Sequence, residues 1–343
     1  MSTLLKASVV VVTWNGLHHL KQCLPALLRQ RAISYEVILV DNGSTDGSVE
    51  WVARSYPDVV LVELGSNRGF AAANNAGFTQ ARTELIATLN NDTRPDPDWL
   101  ASLVHAADAH PEAGSFASRV VLTNDPSILD STGITTDVLG IAWNRHSTDP
   151  VGSESEGEVF GACAAAALYR KHLLEMLGGF DATYFAYLED VDLAWRARWM
   201  GWKARYVPSA RVTHTHSATA GVDSDFKTFY LGRNKIWTIV KNHHGPLLIA
   251  LLPLAIAYDL AALPITCLRQ RSLVALRARI SGLLHIAPAL KARQDIGSAR
   301  RVSWHEMQPF IDGPTWPWRL WNRQRRLRRA TSSSDHPGEP PDA

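Results

Sequence analysis

Acidic and amide side chains form four compact groups along the chain, and each group could take part in chemistry. The groups are Thr13-Trp14-Asn15, Asp41-Asn42, Asn90-Asn91-Asp92 and Glu189-Asp190 with Asp192. Ionised carboxylates accept hydrogen bonds, bind hard divalent cations and can take up protons. The same residue types also favour Asx turns and helix N-termini, which is the structural alternative for each group.

The first three groups each follow a short apolar run that predicts a β-strand. The predicted strands are Ala7–Thr13, Tyr35–Val40, Val59–Glu63 and Leu85–Leu89, and the predicted helices between and after them are Leu17–Arg29, Ser48–Ser55, Ala71–Arg82 and Trp99–Ala109. This alternation is typical of βαβ units and predicts an α/β fold with a single, mostly parallel twisted sheet flanked by helices. Ligands of such sheets bind at the carboxyl ends of the strands, so three polar groups in register there indicate a binding site.

The pattern is less regular after residue 114. We predict a strand over Ser115–Leu122, a loop or insertion over Thr123–Glu158, a small-residue strand over Val159–Tyr169 and a short helix over Lys171–Leu177. The carboxylates from Glu189 onward open an aromatic-rich helix that ends near Gly201. Two short strands are predicted after it, at Lys203–Val207 and Ala210–His214.

The composition is that of a globular protein, with 46% hydrophobic residues, 20% charged residues and a net charge of +2. These values exclude a disordered chain. The charge is nevertheless segregated. Residues 265–330 carry fourteen Lys and Arg against three Asp and Glu, a balance of +11, whereas residues 1–264 carry 21 basic and 27 acidic residues, a balance of −6. Such asymmetry indicates a segment that meets polyanions.

Cysteine usage indicates the compartment. Cys23, Cys163 and Cys267 are isolated and odd in number, so we expect no disulfide framework and a reducing cytosol.

Apolar and aromatic residues are interleaved with the basic ones in the last third of the chain. Phe226–Asn242 is amphipathic, and Leu247–Leu263 is apolar apart from Asp259 but shorter than the ~20 residues of a spanning helix. Ser272–Leu290 and the Trp- and Arg-rich residues 304–329 are typical of helices in the membrane interface, which predicts an anionic membrane surface as a partner. The alternative is a soluble helical subdomain. Nucleic acid is not expected, since no recognised binding module is present.

Five segments, in this order and spacing, resemble glycosyltransferase family 2. They are VVVVTWNG, LVDNGSTDGS, NRGFAAANNAG, LNNDTRPDPDWL and GGFDATYFAYLEDVDLAWR. The chain is similar in particular to the rhamnosyltransferase-like branch that builds bacterial surface polysaccharides. The resemblance covers roughly residues 7–216 and implies a GT-A fold that binds a nucleotide-sugar donor at the carboxyl edge of the sheet.

The resemblance also assigns donor-side roles. Asp41 matches the carboxylate that accepts a hydrogen bond from the imide N–H of uracil or thymine, and an Asx turn before Gly43 is its alternative. The other donor-binding positions it implies are Thr13, Asn15, Asn42, Asn67, Gly69, Asn90 and Asn91.

Asn90-Asn91-Asp92 stands where the family has its D-x-D motif, and two of the three positions carry amides. Asp92 is therefore the only carboxylate there that can ligate Mg²⁺ or Mn²⁺. His214 matches a histidine that completes the metal site, with His216 as the alternative.

The E-D-x-D segment lies on the acceptor side of the family's site. Asp190 matches the catalytic base, and Glu189 and Asp192 match groups that orient acceptor hydroxyls or neighbouring side chains. Tyr184, Phe185, Tyr187 and Trp195 could stack on sugar rings or pack in the core.

These matches imply an inverting glycosyltransferase, and the absence of a Q-x-x-R-W motif favours a non-processive one. The expected donor is dTDP-rhamnose or a UDP-sugar, and the expected acceptor is a glycan or a polyprenyl-linked sugar. The alternatives are a catalytically weak, membrane-bound nucleotide-sugar-binding scaffold and a sugar nucleotidyltransferase.

The expected domain organisation follows the same division. We expect a catalytic domain at residues 1–222, with a nucleotide-sugar half at 1–122 and an acceptor half at 159–216. A membrane-associating region at 223–330 and a disordered tail at 331–343 should follow. The expected location is the cytoplasmic face of the inner membrane, as a peripheral or monotopic protein.

Overall fold

Strands and helices alternate through the first 110 residues, as the hydrophobic pattern predicts. The computed structural model describes residues 4–215, 224–244 and 246–332. The strands are β1 (Ala7–Thr13), β2 (Tyr35–Asp41), β3 (Val60–Glu63), β4 (Leu85–Asn90), β5 (Thr93–Pro95), β6 (Ala113–Leu122), β7 (Leu129–Ser131), β8 (Ile134–Asp137), β9 (Ala142–Asn144), β10 (Gly157–Val159), β11 (Ala166–Arg170), β12 (Lys203–His214) and β13 (Ile311–Asp312). The helices are α1 (Leu17–Leu27), α2 (Ser48–Ser55), α3 (Phe70–Gln80), α4 (Trp99–Ala109), α5 (Lys171–Leu177), α6 (Glu189–Trp199), α7 (Asp225–Asn242), α8 (Pro246–Gln270), α9 (Val274–Leu284), α10 (Ala287–Ala299), α11 (Trp304–Met307) and α12 (Pro317–Ser332).

The main sheet has the strand order β10-β12-β6-β11-β4-β1-β2-β3. Strands β1 to β4 are parallel, and β11 is inserted antiparallel between β4 and β6. The register aligns Thr13 with Asp41 and Val12 with Asn90, so three of the polar groups meet at one edge of the sheet. The predicted mostly parallel sheet is therefore confirmed, and a small second sheet, β13-β8-β9, lies in addition to it.

The two faces of the sheet are covered by different helices. Val9 and Val11 belong to the core under α1, α2 and α4, whereas Val10 belongs to the core under α3, α5 and α6. Successive residues of a strand point to opposite faces, so a continuous valine run fills both cores.

The segment between residues 123 and 170 differs from its prediction. The predicted loop over Thr123–Glu158 contains four short strands, β7 to β10, and the predicted strand over Val159–Tyr169 forms only as β11. Just before β11, the N–H of Ala164 donates to the carboxylate of Asp190, and the carbonyl of Ala165 accepts from the N–H of Asn90 at the end of β4. The two short strands predicted over residues 203–214 are one strand, β12, with a register shift between Val207 and Arg211.

Helix α7 packs against α6 and α10. Its Trp237 shares a hydrophobic core with Trp195 and Trp199 of α6, and with Ile296 of α10. The basic residues of α7 were expected among interfacial helices, but Lys241 is buried against α6. Helix α7 therefore packs on α6, as a packed helical subdomain would, and the assignment of residues 223–330 to a membrane-associating region stays a prediction. The boundary predicted near residue 222 lies outside the described residues and stays a prediction.

Helix α8 contrasts with α7 because its apolar side chains are exposed. Leu248–Gln270 is long and apolar enough to cross a membrane by length and composition, and only 6% of its most apolar window is buried inside the protein. Helix α12 extends to Ser332, and the rest of the predicted tail, residues 333–343, lies outside the described residues.

Candidate active site

The loop after β2 is organised by Asp41. Its carboxylate accepts hydrogen bonds from the backbone N–H groups of Gly43 (3.1 Å) and Ser44 (3.0 Å), which is the Asx turn weighed as its alternative role. Asp41 is buried, at 3% exposure. A carboxylate has about four acceptor positions, so this turn leaves capacity for a further donor. Its contact with a nucleotide base stays a prediction.

The loop after β3, which the resemblance predicts to be a second donor-side loop, is held by Asn42. Its amide nitrogen donates to Oδ1 of Asn67 (3.0 Å), and its oxygen accepts from the backbone N–H of Arg68 (2.8 Å). Because Asn42 is 3% exposed, its described role is to fix this loop. Gly69 has φ +85, and a Cβ there would lie 2.5 Å from the backbone oxygen of Phe185. Position 69 therefore requires a glycine, because the backbone of Phe185 approaches too closely for a side chain there.

The loops after β1 and β4 are joined by side chains. Asn91 donates from its amide to the hydroxyl of Thr13 (3.0 Å), and Asn90 donates from its backbone N–H to the carbonyl of Ala165 (2.8 Å). Asn15 is exposed, and its side-chain oxygen accepts from the N–H of Thr45 (2.8 Å). The donor-side groups predicted from the sequence thus form one connected edge.

Asp92 and His214 lie together in the way the resemblance implies. Nε2 of His214 is 3.3 Å from Oδ1 of Asp92, and its Nδ1 is 2.6 Å from Oδ2 of Asp130. Burial would lower the pKa of His214, but the two carboxylates outweigh it and raise the pKa to about 10. Burial would likewise raise the pKa of Asp92, but the charge of His214 lowers it.

Asp130 is a site residue that the sequence does not reveal. It lies in β7, within the segment predicted to be a loop, and no spacing links it to His214, 84 residues later. Strands β7 and β12 both pair with β6, and this brings the two residues together. His216, the alternative ligand, lies outside the described residues. In the part of the chain that is described, no group of three or more His, Cys, Asp and Glu residues converges as a complete metal site.

Asp190 is half-buried at the start of α6. Its oxygens accept from the backbone N–H groups of Ala164 (3.1 Å) and Val191 (2.8 Å). Burial raises the pKa of Asp190, and these two hydrogen bonds oppose the rise. The bond between Asn90 and Ala165 ties the carboxyl end of β4 to the same turn. Asp190 therefore lies beside the edge of the sheet at which β4 ends.

Glu189 and Asp192, the other members of the acidic group, are both buried but differ in their hydrogen-bond partners. Glu189 is buried, and its Oε2 has no hydrogen-bond partner among the described residues. Burial and the charge of Asp190 raise its pKa well above the usual range.

Asp192 is completely buried and accepts from Arg196 (2.7 Å), Lys241 (2.9 Å) and Asn242 (3.1 Å). Of the two roles expected for it, holding neighbouring side chains is the one this geometry provides, and a contact with acceptor hydroxyls is not.

The aromatic residues considered for sugar stacking also differ in their burial. Tyr184 and Trp195 are buried in the core, whereas the ring of Phe185 stacks on Tyr230 of α7 at 5.1 Å.

Comparison with known proteins identifies a family, several relatives and structures of similar fold. The profile of glycosyl transferase family 2 matches residues 8–178. The chain is 32% identical over 239 residues to the N-acetylglucosaminyl-diphospho-decaprenol L-rhamnosyltransferase of Mycobacterium tuberculosis, an alignment that covers 63% of this chain and 78% of the relative. It is also 35% identical over 183 residues to the undecaprenyl-phosphate 4-deoxy-4-formamido-L-arabinose transferase of Yersinia pestis, covering 50% of this chain and 51% of that one.

Two solved structures resemble the fold over nearly the whole chain. TarS of S. aureus, residues 1–349 in complex with UDP, superposes with a TM-score of 0.56 at 15% identity, covering 96% of this chain and 91% of TarS. The mannosyltransferase PcManGT of Pyrobaculum calidifontis, in complex with GDP-Man and Mn²⁺, gives 0.51 at 19% identity, covering 96% and 86%. With the family match, these similarities confirm the predicted fold class.

Proposed function

Since this chain belongs to glycosyltransferase family 2, we propose that it is an inverting, non-processive transferase of cell-surface polysaccharide synthesis. The proposed donor is a nucleoside-diphosphate sugar, either dTDP-rhamnose or a UDP-sugar. The proposed acceptor is a glycan or a polyprenyl-linked sugar. The names of the mycobacterial and Yersinia relatives, which mention decaprenol and undecaprenyl phosphate, support a lipid-linked acceptor.

The position of Asp190 is the observation that carries the proposal. It is a half-buried carboxylate with a raised pKa, placed beside the edge where the donor-side loops meet. Such a group can take the proton from an acceptor hydroxyl as that oxygen attacks the anomeric carbon. The bond between the sugar and the diphosphate breaks in the same displacement, and a single displacement inverts the configuration.

Asp92 and His214 are the residues that would hold a divalent cation. Oδ1 of Asp92 makes no hydrogen bond within the described residues, although it faces Nε2 of His214. Asp130 would orient the imidazole, as carboxylates do behind ligating histidines. A ligating imidazole is neutral, so a cation would replace the proton that His214 otherwise binds. When bound, Mg²⁺ or Mn²⁺ would neutralise charge on the departing diphosphate.

We further propose that α8 rests in the cytoplasmic face of the inner membrane. Asp259, its one acidic residue, is paired with Lys235 (3.3 Å) and Arg279 (2.8 Å), so its charge faces the protein. Ile249 and Leu268, by contrast, are 78% and 79% exposed. Exposed tryptophans, a residue type favoured at headgroup depth, lie just before the basic helix α12 (Trp316) and within it (Trp318 and Trp321).

The test is a transfer assay with dTDP-rhamnose and UDP-sugars, Mn²⁺ or Mg²⁺, and a polyprenyl-diphosphate-linked N-acetylglucosamine acceptor. Asp190→Asn should reduce transfer by about 10²- to 10⁴-fold, the usual contribution of a general base. Donor binding, measured by calorimetry, should persist in this variant. Asp181→Asn, which alters a nearby carboxylate 24% exposed, is the matched control and should keep its activity.

Retained turnover in Asp190→Asn would contradict the assignment of the base. A wild-type protein that binds donors but releases no nucleoside diphosphate from any of them would favour the scaffold alternative.

A further inference from the structure

The backbone immediately before the proposed base is strained. Phe185 has φ +65 and ψ −65, and the N–H of Ala186 donates to the carbonyl of Tyr184 (2.8 Å), which defines a γ-turn of the rare, positive-φ kind. Tyr187 and Leu188 also have positive φ, at +67 and +68. Such conformations persist in non-glycine residues only where the surrounding structure holds them.

Asn234 of α7 is the side chain that holds this loop. Its amide nitrogen donates to the carbonyls of Tyr184 (2.9 Å), Ala186 (2.9 Å) and Tyr187 (2.7 Å). Two amide hydrogens therefore serve three carbonyls, and Asn234 is completely buried. The burial of Asn234 shields its amide from bulk solvent, so these bonds are its means of satisfying both amide hydrogens.

Arg233 fixes the direction of that amide. Its Nε donates to Oδ1 of Asn234 (2.9 Å), and its Nη2 donates to the carbonyls of Thr183 (2.9 Å) and Tyr184 (2.8 Å). The opposite orientation of the amide would turn its oxygen toward three carbonyl oxygens, which leaves only one workable arrangement. Arg233 and Asn234 thus act on the loop as one unit.

The loop connects the two halves of the site. On one side, the carbonyl of Phe185 accepts from the N–H of Ala71 (3.2 Å) and lies against Gly69 of the donor-side loop. On the other side, Leu188 precedes Glu189-Asp190 directly, and its carbonyl accepts from the N–H of Asp192 (2.9 Å) in the first turn of α6. A shift of the loop would therefore move the base relative to the donor.

We propose that Asn234 is a positioning residue of the transfer reaction, which holds the strained loop at residues 184–188 and thereby sets the place of Asp190 against the donor-side loop. The proposal deepens the proposed function and rests on it. It assigns a role in the reaction to α7, a helix outside the segments that carry the family resemblance.

Three variants test this role. Asn234→Ala removes all three donated bonds, and Asn234→Asp keeps the shape but offers the carbonyls no donor. Thr238→Ala is the matched control. Thr238 lies one turn later on α7 and is 1% exposed. Its hydroxyl bonds to the carbonyl of Asn234 and to the side-chain hydroxyl of Tyr184, and among the described residues it makes no hydrogen bond to the backbone of the loop.

We expect kcat to fall about 10²-fold in both Asn234 variants, since small misplacements of catalytic groups have effects of this size. The donor dissociation constant should change by less than about threefold, because Asn42 holds the donor-side loop separately. The loss of activity in the Asn234 variants should therefore be a loss of kcat. Hydrogen exchange should accelerate at residues 183–188 and at Ala71 in the Asn234 variants. Thr238→Ala should leave both kcat and this local exchange unchanged.

The proposed role is wrong if the Asn234 variants keep the wild-type kcat. It is also wrong if Thr238→Ala lowers kcat as much as they do, because the loss would then come from the general packing of α7. Failure of the proposed function looks different, because the wild type itself would then release no nucleoside diphosphate. In that case the exchange comparison still decides whether Asn234 holds the loop, and unchanged exchange at residues 183–188 would overturn the proposal.

Discussion

Asp192→Asn should strongly destabilise the protein, because Asp192 joins α6 to α7 inside the core. Its completely buried carboxylate contacts Arg196 at 2.7 Å, Lys241 at 2.9 Å and Asn242 at 3.1 Å. The asparagine keeps the shape of the side chain but leaves two buried cations with less compensation. Loss of one partner from a buried ion pair costs about 3–5 kcal/mol.

The pKa of Asp192 gives a second measure of the same interaction. Burial would raise this pKa, but Arg196 and Lys241 outweigh burial and lower it to about 2. Relative to the ordinary pKa of an aspartate, near 3.9, this shift corresponds to roughly 2–3 kcal/mol of stability. Because the pKa is depressed in the folded state, the contribution is complete above the unfolded value near pH 4. It is lost as the pH falls toward 2.

Urea unfolding at pH 7, 5, 4 and 3 measures both effects. The difference in unfolding free energy between wild type and Asp192→Asn should be about 3 kcal/mol at pH 7 and should narrow by about 1 kcal/mol at pH 3. Asp181→Asn is the control, since it contacts Lys241 at 2.6 Å but is 24% exposed, and it should cost about 1 kcal/mol or less. A variant as stable as wild type at pH 7, or a difference that does not narrow in acid, would refute the reasoning.

Two further predictions concern the cation and the membrane. Asp92→Ala should abolish the stimulation of nucleoside diphosphate release by Mn²⁺, because it removes the carboxylate proposed to hold the ion; equal stimulation in the variant would show that the ion binds elsewhere. The double variant Leu260→Glu and Leu268→Glu should lose sedimentation with phosphatidylglycerol vesicles, since these side chains are 63% and 79% exposed on α8. Leu4→Glu adds a charge at another exposed leucine and should still sediment, and undiminished binding by the double variant would remove α8 from the membrane contact.

The local features of the catalytic half can be predicted from the sequence. The valine run of β1 and the apolar run of β4 predict buried strands, and the structure places them within a residue of the predicted bounds. The end of each apolar run also predicts where its strand ends. Because parallel strands end at the same edge of a sheet, the meeting of Thr13, Asp41 and Asn90 at one edge could be inferred without coordinates.

The depth of each side chain in the acidic group could not be predicted. Glu189, Asp190 and Asp192 lie within four positions, yet Asp190 is half-buried with backbone donors while Asp192 is sealed between two helices. This difference in burial depends on which face of α6 packs against α7. Helix α7 begins more than twenty residues after α6 ends, so the local sequence does not specify that contact.

The amino-acid sequence determined the family, the strands and helices of the first half and the identity of the candidate base, since these depend on local hydrophobic runs and on motifs of adjacent residues. Only the tertiary structure decided that Asp130 supports His214 and that Asn234 holds the loop before Asp190. Both contacts join residues more than 40 positions apart. Pairing of distant strands and packing of distant helices create such contacts, and no spacing along the chain records them.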